Sequence, residues 1–104
     1  MQIQINTDHT IKKNEATREE FNRLITVELK NFSQHITRIE VHFTDENGNK
    51  TGQMDKKCLM EARIDGRQPI AVTNHSNTEA LALDGAIEKL KHALDSIFGS
   101  LKNH

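Results

Sequence analysis

Six histidines, one cysteine and fourteen lysines or arginines are the side chains of this 104-residue sequence with the widest chemical reach. The histidines stand at positions 9, 35, 42, 75, 92 and 104. No two are four apart, so no helix turn presents a pair to one metal ion, and Cys58 has no cysteine neighbour to complete a thiolate site. Scattered surface imidazoles are the expectation. Asp45, Asn47 and Asn49 open like a calcium loop, but Lys50 stands where the turn needs glycine and Lys56 where the ion needs a bidentate glutamate. A solvated hairpin loop is expected instead. A catalytic thiolate needs exposure and an oriented base. Cys58 sits on the apolar side of a strand pattern and reads as a small core residue. There is no glycine-rich phosphate loop, nucleophile elbow or carboxylate pair. No enzyme, metal or cofactor is expected.

The cations remain. On helical spacing, Arg18, Arg23 and Lys30 fall on or beside the exposed side of a first helix. Lys89 and His92 fall on that of a second, and Lys102 lies near the chain end. Lysine and arginine grip phosphate oxygens without reading bases, and RNA helices are often recognised by shape. Yet the net charge is -1, with seven basic and eight acidic residues in 1–50 and seven of each in 51–104. Any nucleic-acid surface must therefore come from local segregation of charge. Glu19, Glu20 and Glu88 are interspersed, so a solvated helix face is the competing reading.

The elements that position these residues are legible from periodicity. Ile3 and Ile5 alternate with Gln2, Gln4 and Asn6, the pattern of a strand with one face buried. Asn14 is a candidate N-cap for a helix whose stripe is Phe21, Ile25, Leu29 and Phe32, with Leu24 at its margin. Glu28 falls near that stripe without an evident reason. Ile39, Val41 and Phe43 alternate with Arg38, Glu40 and His42; Cys58, Met60, Ala62 and Ile64 alternate with Leu59, Glu61 and Arg63. Residues 45–56 read as the loop between these strands. Asp65-Gly66 is a turn, and Pro69, which cannot donate to a ladder, means that the strand through Ile70 and Val72 is at an edge or begins there. Ser76-Asn77-Thr78-Glu79 matches a capping box that opens a long helix with Leu83, Ile87, Leu90, Leu94 and Ile97 on one side. Ala82, Ala86 and Ala93 form a small-residue flank expected to receive the first helix.

The order is β-α-β-β-β-α, an α+β two-layer sandwich in one domain over 1–104. Both helices lie on one face of a four-stranded sheet, and they are expected to be the only broad partner surface. Hydrophobic content is 35% and charged content 28%. No run approaches the roughly 18 apolar residues of a membrane span. One cysteine and a strand-like N-terminus suit a reducing cytoplasm.

Four blocks resemble the ribosome hibernation-promoting factor and ribosome-associated inhibitor family. They are residues 39–48 (Ile-Glu-Val-His-Phe-Thr-Asp-Glu-Asn-Gly), 58–63 (Cys-Leu-Met-Glu-Ala-Arg), 66–73 (Gly-Arg-Gln-Pro-Ile-Ala-Val-Thr) and 83–90 (Leu-Asp-Gly-Ala-Ile-Glu-Lys-Leu). The resemblance implies a double-stranded-RNA-binding-like fold and a cytoplasmic protein that binds the small ribosomal subunit and its rRNA and restrains translation under stress. It implies phosphate contacts at Arg18, Lys30, Lys89, His92 and Lys102, which Arg23 is expected to join from its place on the exposed side of the first helix. His92 stands where the family usually has arginine, and Ser96, Phe98 and Ser100 where short members are basic. The alternative is a protein-interaction module on the same fold that has lost RNA affinity, with a weak homodimer as its expected product.

Overall fold

The structure, a computed structural model, describes residues 1–7, 15–45 and 56–99. Its elements are β1 (Gln2–Thr7), α1 (Glu15–Glu28), a 3-10 turn (Lys30–Phe32), β2 (Ile36–Asp45), β3 (Lys56–Ile64), β4 (Ile70–Ser76) and α2 (Glu79–Phe98). The expected order is therefore observed. Asn14 and residues 46–55, including most of the calcium-like loop, lie outside the described residues.

The sheet runs β1-β2-β3-β4 in space. β1 is parallel to β2, with Ile3 opposite Ile39 and Ile5 opposite Val41. Parallel neighbours need a crossover rather than a hairpin, and α1 lies in that crossover. The other two pairings are antiparallel. Alternation sends Ile39, Val41, Phe43, Cys58, Met60 and Ala62 to one face, where each is at most 2% exposed. Phe21 and Ile25 from α1, Leu29 just after it, and Leu83, Ile87, Leu90 and Leu94 from α2 close over that face in one continuous core. The Phe21 and Phe43 rings meet at 5.5 Å between centroids. Fully burying a side chain of this size stabilises by about 1.5–3 kcal/mol before the entropy of ordering is set against it.

At the β3–β4 turn the Arg67 N–H donates to the Ile64 carbonyl at 3.2 Å. Gly66 takes φ 76°, a left-handed conformation that glycine adopts without a Cβ penalty. β4 is an edge strand and begins at Ile70, immediately after Pro69.

Two local expectations are corrected. The N-cap of α2 is Thr78, not Ser76: the Thr78 Oγ1 accepts from the Leu81 N–H at 3.1 Å, whereas Ser76 is still paired with Lys56 in the sheet. The alanine flank of α2 does not receive α1 either. It turns toward β4, where the Asn74 side chain donates to the Ala82 carbonyl at 3.2 Å. The flank facing α1 is the charged one, joined by Lys91 to Glu28 at 2.9 Å. That ion pair accounts for Glu28 at the edge of an apolar stripe.

Gly85 sets the approach of α2 to β4. A Cβ there would lie 2.0 Å from the Asn74 Nδ2 and 2.5 Å from its Cγ. Gly85→Ala is therefore expected to destabilise by about 1–3 kcal/mol, despite alanine's better helix propensity. Adding Asn74→Ala recovers part of that loss. Urea denaturation of the single and double variants measures both.

Candidate nucleic-acid interface

The exposed side of the helix layer carries the cations that the sequence singled out, and the structure divides them into two groups. Arg23, Lys30, Lys89 and His92 are exposed, and Arg18 is half-buried. Arg23 and Lys30 are seven residues apart on the solvent side of α1 and the 3-10 turn. Arg18 and Lys89 instead reach back to the sheet. The Arg18 Nη1 donates to the Ile5 carbonyl at 2.8 Å, and the Lys89 Nζ donates to the Thr73 carbonyl at 2.7 Å. Ile5 and Thr73 belong to the two edge strands, so each helix sends one cation to an open margin of the sheet. Lys102 lies outside the described residues.

Lys91, absent from the sequence expectation, sits between the helices. It bonds Glu28 at 2.9 Å and lies 3.9 Å from Glu88. The hydrogen bond that Lys91 donates to the Glu28 carboxylate is the main influence that raises its pKa, so the ammonium is held charged. The spacing of Glu88 and Lys91 signalled the second contact; nothing local in the chain could signal the first, which spans 63 positions.

Phe98 is a packing residue. It is 7% exposed and stacks on the His35 ring at 4.0 Å, with the Arg67 guanidinium 5.5 Å from its ring centre. The cluster ties the end of α2 to the entry of β2 and to the β3–β4 turn.

Counted over the described residues, the helix layer is acidic. Glu15, Glu19, Glu20, Glu28, Glu79, Asp84, Glu88 and Asp95 outnumber Arg18, Arg23, Lys30, Lys89 and Lys91. A broad positive strip is not what these helices present; Arg23 and Lys30 form a local one. Nor are the helices the only broad surface. The second face of the sheet carries Arg38, Glu40, His42, Lys57, Glu61 and Arg63, and among the described residues no further layer covers it. There the carboxylate of Glu40 is approached by Arg38 at 3.0 Å, His42 at 3.7 Å and Arg63 at 3.9 Å.

Among the described residues, no group of three or more His, Cys, Asp or Glu could hold a metal ion. None of the described helices is long and apolar enough to cross a membrane. Cys58 is fully buried, and burial pushes its thiol up to about 12. Burial penalises the charged form, so the nucleophilic thiolate is scarce at neutral pH. Native protein at pH 8 is expected to resist iodoacetamide and to be alkylated quickly in denaturant. Mass spectrometry of the two samples checks this; fast labelling of the native protein would contradict the burial argument.

No protein-family model and no curated protein sequence matches this chain. Solved structures do. A ribosomal subunit interface protein from Coxiella burnetii superposes with a TM-score of 0.75 at 18% identity, covering 95% of this chain and 99% of that one. The N-terminal domain of Thermus thermophilus Protein Y gives 0.72 at 13% identity, covering 93% and 99%. Both are members of the hibernation-factor family to which the four sequence blocks point. The chain thus has, over nearly its whole length, the fold of ribosomal subunit interface proteins.

Proposed function

We propose that this protein binds the small ribosomal subunit in the cytoplasm, contacts its rRNA through phosphates and restrains translation under stress. The observation that carries the reading is the near-complete match in fold to a ribosomal subunit interface protein, 95% of one chain against 99% of the other. On this reading the protein acts by occupancy and turns nothing over. Arg23, Lys30 and His92 are exposed contacts on the helix layer, joined by Lys102. Arg18 and Lys89 contribute charge while anchored to the sheet margins.

A second reading has one specific observation in its favour. The acidic excess of the helix layer suits a basic protein partner better than a phosphate backbone. The two readings separate on RNA dependence: nuclease digestion abolishes recovery of a partner held through RNA and leaves a protein partner in place.

Few phosphate contacts mean a shallow salt dependence, since each contact contributes roughly one unit of slope. In sucrose gradients at low salt the protein is expected to travel with small subunits and to leave them gradually as salt rises. Arg23→Glu combined with Lys30→Glu is expected to shift it to the free-protein fractions. Wild-type protein that stays entirely free at low salt would end the ribosomal reading.

A further inference from the structure

A polar cleft runs along β1, at the sheet margin where α1 crosses. Gln2, Gln4, Arg18, Asn22 and Arg38 line it, with Ile3 and Ile5 as its apolar floor. It follows β1 from the helix side, where Arg18 sits, round to the open face of the sheet, where Arg38 stands beside Gln2 in the β1–β2 register. Two guanidiniums and three carboxamides therefore face one channel, and among the described residues no carboxylate lines it.

Both guanidiniums are held in place. Arg18 gives one N–H to the Ile5 carbonyl. The Arg38 Nη2 donates to the Gln4 Oε1, and the Gln4 Nε2 in turn donates to the Asn6 Oδ1 at 3.3 Å. A guanidinium has five N–H donors, so one or two protein acceptors fix its plane and leave others for a ligand. Carboxylates do approach from outside the channel. Glu15 lies 3.9 Å from Arg18, and Glu40 lies 3.0 Å from Arg38. Glu40, however, also faces Arg63 and His42, so its charge is divided among three neighbours.

We propose that this cleft binds the phosphates of a single-stranded RNA segment laid along β1, with Arg18 and Arg38 as the charged donors and Gln2 and Asn22 as neutral ones. Planar guanidinium forks suit the paired non-bridging oxygens of a phosphodiester, and carboxamide N–H groups add donors without adding charge. The occupant rests on the ribosomal reading, which supplies RNA as the source of phosphate; the cleft itself does not. The contact would be separate from Arg23 and Lys30 on the solvent side of α1, so the protein would meet RNA on two sides.

The test is binding of a short, labelled, mixed-sequence RNA by anisotropy across a salt series, with amide shift mapping of the folded protein. Arg38→Gln is expected to weaken binding about tenfold and to make the logarithmic salt slope shallower by about 0.7, the value for one phosphate contact on a single strand. Gln4→Ala, which removes the acceptor that orients Arg38, gives a smaller loss with the slope unchanged. RNA is expected to shift the amides of residues 2–6 and 22. Unchanged affinity and slope in folded Arg38→Gln would overturn the proposal. So would RNA shifts confined to the neighbourhood of Arg23 and Lys30. Should Arg38→Gln fail to fold, the wild-type shift map decides alone. Inorganic phosphate that moves the same amides while RNA does not would overturn RNA as the occupant. Wild-type co-sedimentation that Arg38→Gln leaves untouched sinks the cleft and spares the ribosomal reading. RNA binding through the cleft without co-sedimentation does the reverse.

Discussion

Burial of one face of β2 and β3 is the interaction on which the rest of this molecule depends. Those strands occupy the centre of the sheet, and their inward residues, from Ile39 to Phe43 and from Cys58 to Ala62, are almost wholly removed from water. Among the described residues, two amphipathic helices cover them. Parallel pairing of β1 with β2 assigns α1 to the crossover, and the same apolar face draws α2 back across β3 and β4. With both helices on that side, the opposite face meets solvent and two strands are left as edges. Much of what looks functional at the surface is a consequence of those edges.

The cations illustrate the point. A basic residue on a helix is an expected phosphate contact when only its helical phase is known. In the folded chain Arg18 and Lys89 cross from helix to sheet and donate to edge-strand carbonyls, while Lys91 bridges the helices through Glu28. Each lowers the cost of polar groups at a seam of the fold. The outward potential over the helices is correspondingly less positive than a tally of lysines and arginines implies. The carboxylates on the same helices lower it further.

What was legible in the sequence follows from the range of the signal. Period-two alternation in 36–44 and 58–64, the Asp65-Gly66 turn, Pro69 at an edge and the α2 stripe are all local, and each appears as expected. The α2 cap was misplaced by two residues because Ser76 and Thr78 are both competent caps. What decides between them is the pairing of Ser76 with Lys56, twenty positions away. The alanine flank was assigned to α1 because small residues permit close approach to any neighbour. The neighbour is Asn74 on β4, and only three-dimensional packing names it. Glu28 had no explanation until Lys91 was beside it. The Arg38 cleft was illegible for the same reason: its lining comes from β1, α1 and β2 at once.

A near-neutral chain cannot rely on a diffuse positive field to hold RNA, so the geometry of a few cations must decide affinity. Lysine and arginine differ here. An ammonium that donates to a carbonyl, as Lys89 does to Thr73, is a point charge fixed at the sheet margin with its remaining donors splayed around one atom. A guanidinium held the same way still presents a flat edge of N–H groups to a second acceptor. The Arg18 and Arg38 anchors can therefore serve the fold and a phosphate together, while the Lys89 anchor serves mainly the fold. Replacing either arginine by lysine would keep the charge and lose that double use. On the proposed reading, charge alone is therefore the wrong measure of which basic residues in this scaffold reach RNA.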